Sequence, residues 1–355
     1  MYDWSLRKLV RFILLILIFI TSLFATKNQE INKTINNSAV AFIYHRFGES
    51  QYPSTNITLK QFKTQLDYLE EHNYNVWSLS RIVHAIKQQK PIPPKTVSLT
   101  IDDAYFSVYT NAYPMLKAKG YPFTVFVNTD PIDKGLKTHV TWDQIREMQK
   151  DKGEFFNHSL SHDYLLKKQK ETQKEAVKRI TNEIVQAQKR LDKELGENRI
   201  KLLAYPFGEY DLETKKIVEN LGMIGVTQTS GPLGAYSDLQ ALTRFPISES
   251  FASMKSFVTK LNTIQFPLHS VSLNTPELSE KNPPLLEIKL QKPISRISCF
   301  LSSGKRIDLK WIDEKSFKIS APKPLHGERE RYTCTAPAKN GKWYWYSHLF
   351  IIATR

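Results

Sequence analysis

The sequence predicts an α/β chain: a distorted (β/α) barrel of about seven units, followed by a small all-β sandwich domain. Three observations carry this. Strand-length apolar runs alternate with helix-length amphipathic runs from Ala39 to Asn262, the pattern of parallel β/α units. No glycine-rich phosphate loop follows the first strand, and carboxylates and histidines sit at strand ends, which suits a barrel better than an open sheet. Beyond Pro267 the chain turns to short alternating runs separated by turn residues, as in a small antiparallel sandwich.

Element by element, "AVAFIYH" from Ala39 is a buried-strand pattern ending in His45. Thr58 and Gln61 match a capping box for a helix with Leu59, Phe62, Leu66 and Leu69 on its apolar face. "YNVWSL" reads as a strand and "SRIVHAIKQ" as a helix; Pro91, Pro93 and Pro94 then break the chain before the strand Thr96 to Thr100. Ser107 to Lys119 reads as a helix, kinked or split by Pro114 and stopped by Gly120. "PFTVFVN", the Thr141-capped helix "WDQIREMQKD" and the strand "GEFFNHS" follow. Glu171 to Leu195 is highly charged, with Val177, Ile180, Ile184, Ala187 and Leu191 on one face, an outer helix ended by Gly196. "KLLAYP", the helix Leu212 to Leu221, "MIGVTQ" and "FASMKSFVTKLN" complete residues 38–268. Residues 269–283 read as a linker and 284–355 as the sandwich.

Composition narrows the function. Of 355 residues 41% are hydrophobic, which excludes a disordered chain and allows one large core plus a smaller domain. The net charge of +15 favours anionic surfaces such as membrane headgroups or acidic glycans. No nucleic-acid-binding motif is visible, so nucleic acid is not an expected partner. Arg7, Lys8 and Arg11 precede an uncharged run from Phe12 to Ala25, so residues 1–25 read as an export signal or N-terminal anchor and 26–37 as a polar linker. This predicts an exported protein, periplasmic, anchored in the inner membrane or extracellular. Two cysteines on predicted strands of an exported chain, Cys299 and Cys334, predict a disulfide bridging the two layers of the sandwich.

Two features carry chemistry. "SLTIDDAY" ends a buried strand at two adjacent carboxylates, Asp102 and Asp103, and "NHSLSH" sets His158 and His162 four residues apart. Each alone could be a solvated turn or a pair of surface histidines. Together they suit a metal site in which one carboxylate binds a cation and the other takes a proton from water. The chain must bend at the strand end, because neighbouring strand residues point to opposite faces.

"SLTIDDAY", "NHSLSH" and "AYPFGEYD" resemble, in order and spacing, the first three motifs of the polysaccharide deacetylase (NodB-homology, carbohydrate esterase 4) family. Ile101 and Ala104 depart from the family's T-F-D-D-G, and Tyr205 stands where the third motif usually carries arginine. With "IYHRF" upstream, the chain is similar to the branch that deacetylates poly-N-acetylglucosamine. The resemblance implies that Asp103, His158 and His162 hold one divalent metal, commonly zinc, with cobalt or nickel also suited. It implies Asp102 as general base, and backbone around Tyr205, Pro206 and Phe207 against substrate and oxyanion. Arg244 is the expected replacement for the missing arginine, and His45 the expected general acid. The implied substrate is an N-acetylated glycan in the cell envelope. Two other functions fit: a glycan-binding protein without activity, and an amidase or deacetylase acting on peptidoglycan or another surface glycan. Trp343 and Trp345 fall on one face of the last strand and Tyr344 and Tyr346 on the other, a pattern read as packing before sugar binding.

Overall fold

The computed structural model describes residues 38–248, 251–278 and 281–352. The export segment and polar linker expected over residues 1–37 lie outside the described residues. Among the described residues no helix is long and apolar enough to cross a membrane.

Six parallel strands run side by side: β1 (Ser38–Tyr44), β2 (Thr96–Asp102), β3 (Phe123–Val127), β4 (Gly153–Asn157), β5 (Leu202–Ala204) and β6 (Ile224–Val226). The chain then crosses back. Leu242 bridges Val226 in parallel, and β7 (Phe245–Pro246) pairs in parallel with Phe42 and Ile43 of β1. That short crossing closes the sheet into a distorted seven-stave barrel. A small strand at Leu233–Gly234 lies antiparallel against the start of β1.

Alternation along β2 decides what faces where. Val97, Leu99 and Ile101 join the apolar cluster that includes the helix residues Phe62, Leu66 and Leu116. Thr100 and Asp102 face the other way, into the barrel, where both meet the Arg244 guanidinium. The outer layer is set by local signals. Capping boxes start α1 (Leu59–Glu71), α5 (Trp142–Lys150) and α6 (Gln173–Leu195), at Thr58, Thr141 and Thr172. The expected apolar face of α1 is corrected at Leu59, which stays exposed while Phe62, Leu66 and Leu69 are buried. Pro114 splits its helix: a π-turn over Val108–Ala112 precedes α3 (Tyr113–Lys119). The other helices are α2 (Leu79–Lys87), α4 (Thr129–Asp133), α7 (Leu212–Asn220) and α8 (Met254–Leu261).

The sandwich begins earlier than its composition suggests. β8 (Thr263–Gln265) pairs with the last strand, and β9 (Leu268–Val271) pairs with β10 (Leu285–Leu290), so β9 occupies the start of the expected linker and β8 the end of the expected barrel range. Both are short runs whose pairing partners lie far along the chain, which local periodicity does not reveal. One sheet combines β8, β11 (Ser298–Leu301), β12 (Arg306–Ile307), β15 (Arg329–Pro337) and β16 (Trp343–Ile351); the other combines β9, β10, β13 (Leu309–Trp311) and β14 (Ser316–Ser320). Cys299 and Cys334 are bonded, but they are directly opposed residues of β11 and β15. The expected bridge between layers is therefore corrected to a bridge within one sheet. Trp345 packs edge-on against Phe245 of the barrel with centroids 5.3 Å apart, while Tyr344 and Tyr346 pack against the sandwich core.

Candidate metal centre

The bend after β2 brings the two carboxylates together. Asp103 and Ala104 both adopt left-handed backbone, φ 72° and 53°. This turns the Asp103 side chain back over the barrel mouth instead of out toward the helices. Left-handed backbone costs a non-glycine residue ~1 kcal/mol, and here two consecutive residues accept it.

His158 and His162 follow β4 in an irregular turn rather than on a helix. Ser159 and His162 have φ of 66° and 64°. Asn157 Oδ1 accepts the Ser159 N–H at 2.8 Å, and Ser159 Oγ accepts the His162 N–H at 3.0 Å, so the turn carries its own hydrogen bonds. Both imidazoles end up facing Asp103: each Nε2 lies 3.3 Å from Asp103 Oδ1. The ligand atoms of Asp103, His158 and His162 all fall within 4.8 Å of one another.

The chemistry of this trio fits a divalent cation. His158 Nδ1 lies 2.8 Å from the Ala204 carbonyl, to which it donates, so a neutral ring carries its lone pair on Nε2. That Nε2 is buried without a hydrogen-bond partner. A lone pair facing a carboxylate oxygen is repulsive unless a proton or a metal ion sits between them. Without metal the proton answers: burial alone would lower the His158 pKa, but Asp103 and Asp102 outweigh it and raise it. His162 goes the other way, held down to about 4 by burial and by His158. Asp103 stays ionised, because the histidines override the burial that would raise it. One carboxylate and two imidazoles form a three-donor set of the kind that zinc or a similar transition metal takes in catalytic sites.

Asp102 is fully buried beside this trio, its Oδ2 at 3.9 Å from His158 Nε2. Arg244 holds it in a two-pronged ion pair: Nη1 donates to Oδ1 at 2.6 Å and Nη2 to Oδ2 at 2.8 Å. Arg244 is itself fully buried, donating also to Thr100 Oγ1 and, through Nε, to the Thr227 carbonyl, both at 3.0 Å. Burial would raise the Asp102 pKa, yet the guanidinium and His158 keep it below the usual carboxylate range. The arginine immediately precedes the closing strand and reaches the aspartate from that side of the barrel, in place of the arginine that the third motif lacks.

His45, at the end of β1, is half-buried. Burial lowers its pKa, opposed by Asp103 and Asp102, so it shares their electrostatic surroundings. Expectation and structure part at Tyr205. Its N–H donates to Val226 O in the β5–β6 ladder, and its hydroxyl donates to Gln240 O at 2.9 Å, so neither points a donor at the site. Pro206 has no N–H, which leaves Phe207 of the three. Phe207 adopts φ 60°, stacks on Tyr164 at 4.1 Å and meets the His162 ring edge-on at 4.6 Å. Gly208 makes this turn possible: a Cβ there would sit 2.7 Å from Gln228 Cβ. Sequence reasoning missed His139, which bridges Tyr105 just after the aspartates, with ring centroids 5.1 Å apart. Burial lowers its pKa and Asp103 opposes this. The available signal was its place in the loop between β3 and β4, on the barrel face that carries the site.

The chain is similar to known polysaccharide deacetylases. Residues 89–226 match the family model described as polysaccharide deacetylase. YxkH of Bacillus subtilis, which carries that family's name, is 27% identical over 207 residues, 58% of this chain and 70% of that protein. A poly-beta-1,6-N-acetyl-D-glucosamine N-deacetylase of Staphylococcus aureus is 24% identical over 206 residues, 53% of this chain and 70% of its own length. The solved structure of the Streptococcus pyogenes deacetylase PplD in complex with acetate aligns with a TM-score of 0.57 at 26% identity, covering 63% of this chain and 98% of that one.

Proposed function

We propose that this chain, whose residues 89–226 match the polysaccharide deacetylase family model, is such a deacetylase and removes acetyl groups hydrolytically from an N-acetylated amino-sugar polysaccharide of the poly-N-acetylglucosamine kind. The observation that carries this is Asp102, buried and ionised against Arg244, beside a convergent Asp103–His158–His162 trio. Asp103, His158 and His162 would hold a divalent metal, zinc being our first choice, which would supply Lewis acidity toward water and the acetamide carbonyl.

The chain's own residues do the rest. Asp103 supplies the anionic ligand. The Ala204 carbonyl fixes the His158 ring so that Nε2 faces inward. Asp102 takes a proton from the attacking water, and Arg244 keeps that carboxylate ionised and aimed. The Phe207 N–H is our choice of donor to the oxyanion, with its ring forming the wall beside His162. His45 is our choice for the acid that protonates the departing amine, and its place at a strand end on the barrel's active face supports this. The exported, envelope-facing location remains part of the proposal; a disulfide is what an oxidising compartment permits.

The test is acetate release from a panel of N-acetylated glycans: β-1,6- and β-1,4-linked N-acetylglucosamine oligomers and peptidoglycan. Release that chelator abolishes and zinc restores supports the reading. Glycan binding without acetate release from any substrate overturns it in favour of a binding protein.

A further inference from the structure

Phe207 faces two ways. One edge meets His162, and the residue also lines a cavity of about 170 Å³ between barrel and sandwich. The barrel contributes Gly208 and Gln228 to this cavity, and the sandwich contributes Ser302, Arg329 and Arg331. Its walls are tied together. Arg329 Nη1 donates to the Phe207 carbonyl at 2.8 Å, its Nε lies 3.5 Å from the fully buried Glu209, and Ser302 Oγ accepts the Arg331 N–H at 2.9 Å.

The cavity is cationic. Arg329 and Arg331 line it, and Lys260 stands behind its Pro246 wall, donating to the Pro246 carbonyl at 3.0 Å. Burial and the nearby Arg331 hold the Lys260 pKa down to about 8, so the two cations sense each other. Against them stand Glu330, the one acid among the lining residues, and the buried Glu209 beside Arg329, so the excess positive charge rests on Arg331 and Lys260. The volume is below the ~300 Å³ at which pockets begin to take whole ligands, so it suits a substituent rather than a sugar ring.

Beside a centre that converts acetamides to amines, two substituents of a neighbouring sugar unit compete for such a space. An acetamide is neutral, with a carbonyl that accepts from guanidinium and a methyl that suits the apolar Phe207, Pro246 and Leu349 surfaces. The ammonium left after reaction has donors only and is repelled by like charge. We infer that this two-domain cavity binds the intact acetamido group of a neighbouring unit and disfavours a unit already deacetylated. This rests on the deacetylase reading. Its consequence is a product whose free amines are spaced along the chain rather than clustered.

The experiment uses the full chain and N-acetylglucosamine oligomers, with products sequenced by tandem mass spectrometry. Wild type should leave few adjacent amines. Arg331→Gln should raise the adjacent fraction several-fold, and Arg331→Glu further. Gln228→Glu, placing a carboxylate on the barrel wall, should act in the same direction and guards against a folding defect at Arg331. Binding to chelator-treated protein gives a readout apart from turnover: fully acetylated oligomer should bind several-fold tighter than its deacetylated counterpart, with the gap narrowing in each variant. Acetate release with an unchanged product pattern across these proteins, or equal binding of the two oligomers, overturns the inference while leaving the deacetylase reading standing. No acetate from any oligomer overturns both.

Discussion

Asp102 and Asp103 are neighbours in the chain, yet one faces a guanidinium and the other faces two imidazoles. That division predicts two distinct failures. Asp103→Asn replaces an anionic ligand by a neutral amide, so metal content and acetate release should fall together and excess zinc should partly restore both. Asp102→Asn keeps the trio but accepts no proton, so metal should stay bound while turnover drops ~10²–10⁴-fold. Metal analysis beside the acetate assay separates the two; equal metal loss in both variants would mean the roles are misassigned. At this scale the sequence was legible wherever residue type and alternation agree. "VSLTID" already shows Ser98, Thr100 and Asp102 on one face, and the need for a bend at the next residue follows from strand geometry. Tyr205 was not legible, because whether a backbone N–H is free depends on the ladder it joins, and that partner, Val226, is 21 residues away.

The closing stave shows how elements supply what a motif lacks. β7 is two residues long and has no periodicity of its own, yet it seats Phe245 on Phe42 and is preceded by the arginine that reaches Asp102 across the barrel. An arginine before an apolar pair says nothing locally about a partner 142 residues earlier. The disulfide is the sandwich's counterpart: the cysteine pair was legible, but register alone puts both in one sheet. Its closed loop of 35 residues should stabilise the folded state by about 3–4 kcal/mol through lost unfolded-chain entropy. A Cys299→Ser/Cys334→Ser variant should therefore unfold at clearly lower denaturant, with the loss in the sandwich transition and with metal content unchanged. Identical unfolding curves for the variant and the oxidised wild type would remove this role.

Across the whole molecule, the seam between barrel and sandwich carries both a pH response and a link to the site. His348 is buried there; its Nε2 lies 3.2 Å from the Thr275 carbonyl and its Nδ1 3.3 Å from the Tyr346 hydroxyl. Burial, against that carbonyl, holds its pKa down to about 4. An unfolded histidine titrates near ~6.5, so between those values the unfolded chain binds the proton and the folded chain does not. The contribution of His348 is whole above ~6.5 and is lost as pH falls toward about 4, a loss of order 3 kcal/mol. Denaturant unfolding at stepped pH should show this slope in wild type and a shallower one in His348→Gln.

Arg329 carries the link. It leaves the sandwich to hold the Phe207 carbonyl at 2.8 Å, and Phe207 in turn packs on His162 while kept in left-handed backbone. A turn held in that conformation needs its surroundings to hold it. Arg329→Ala removes the strut without touching a proposed ligand or base, so metal content should persist and kcat should fall about tenfold, about 1.4 kcal/mol of transition-state stabilisation. Arg329→Lys keeps the charge beside Glu209 and one donor, and should recover part of that loss. If Arg329 served the fold alone, both variants would shift the unfolding midpoint and leave kcat of the folded fraction unchanged. A loss of kcat at constant metal content, partly rescued by lysine, instead ties the sandwich to the chemistry through one hydrogen bond to the loop beside the metal centre.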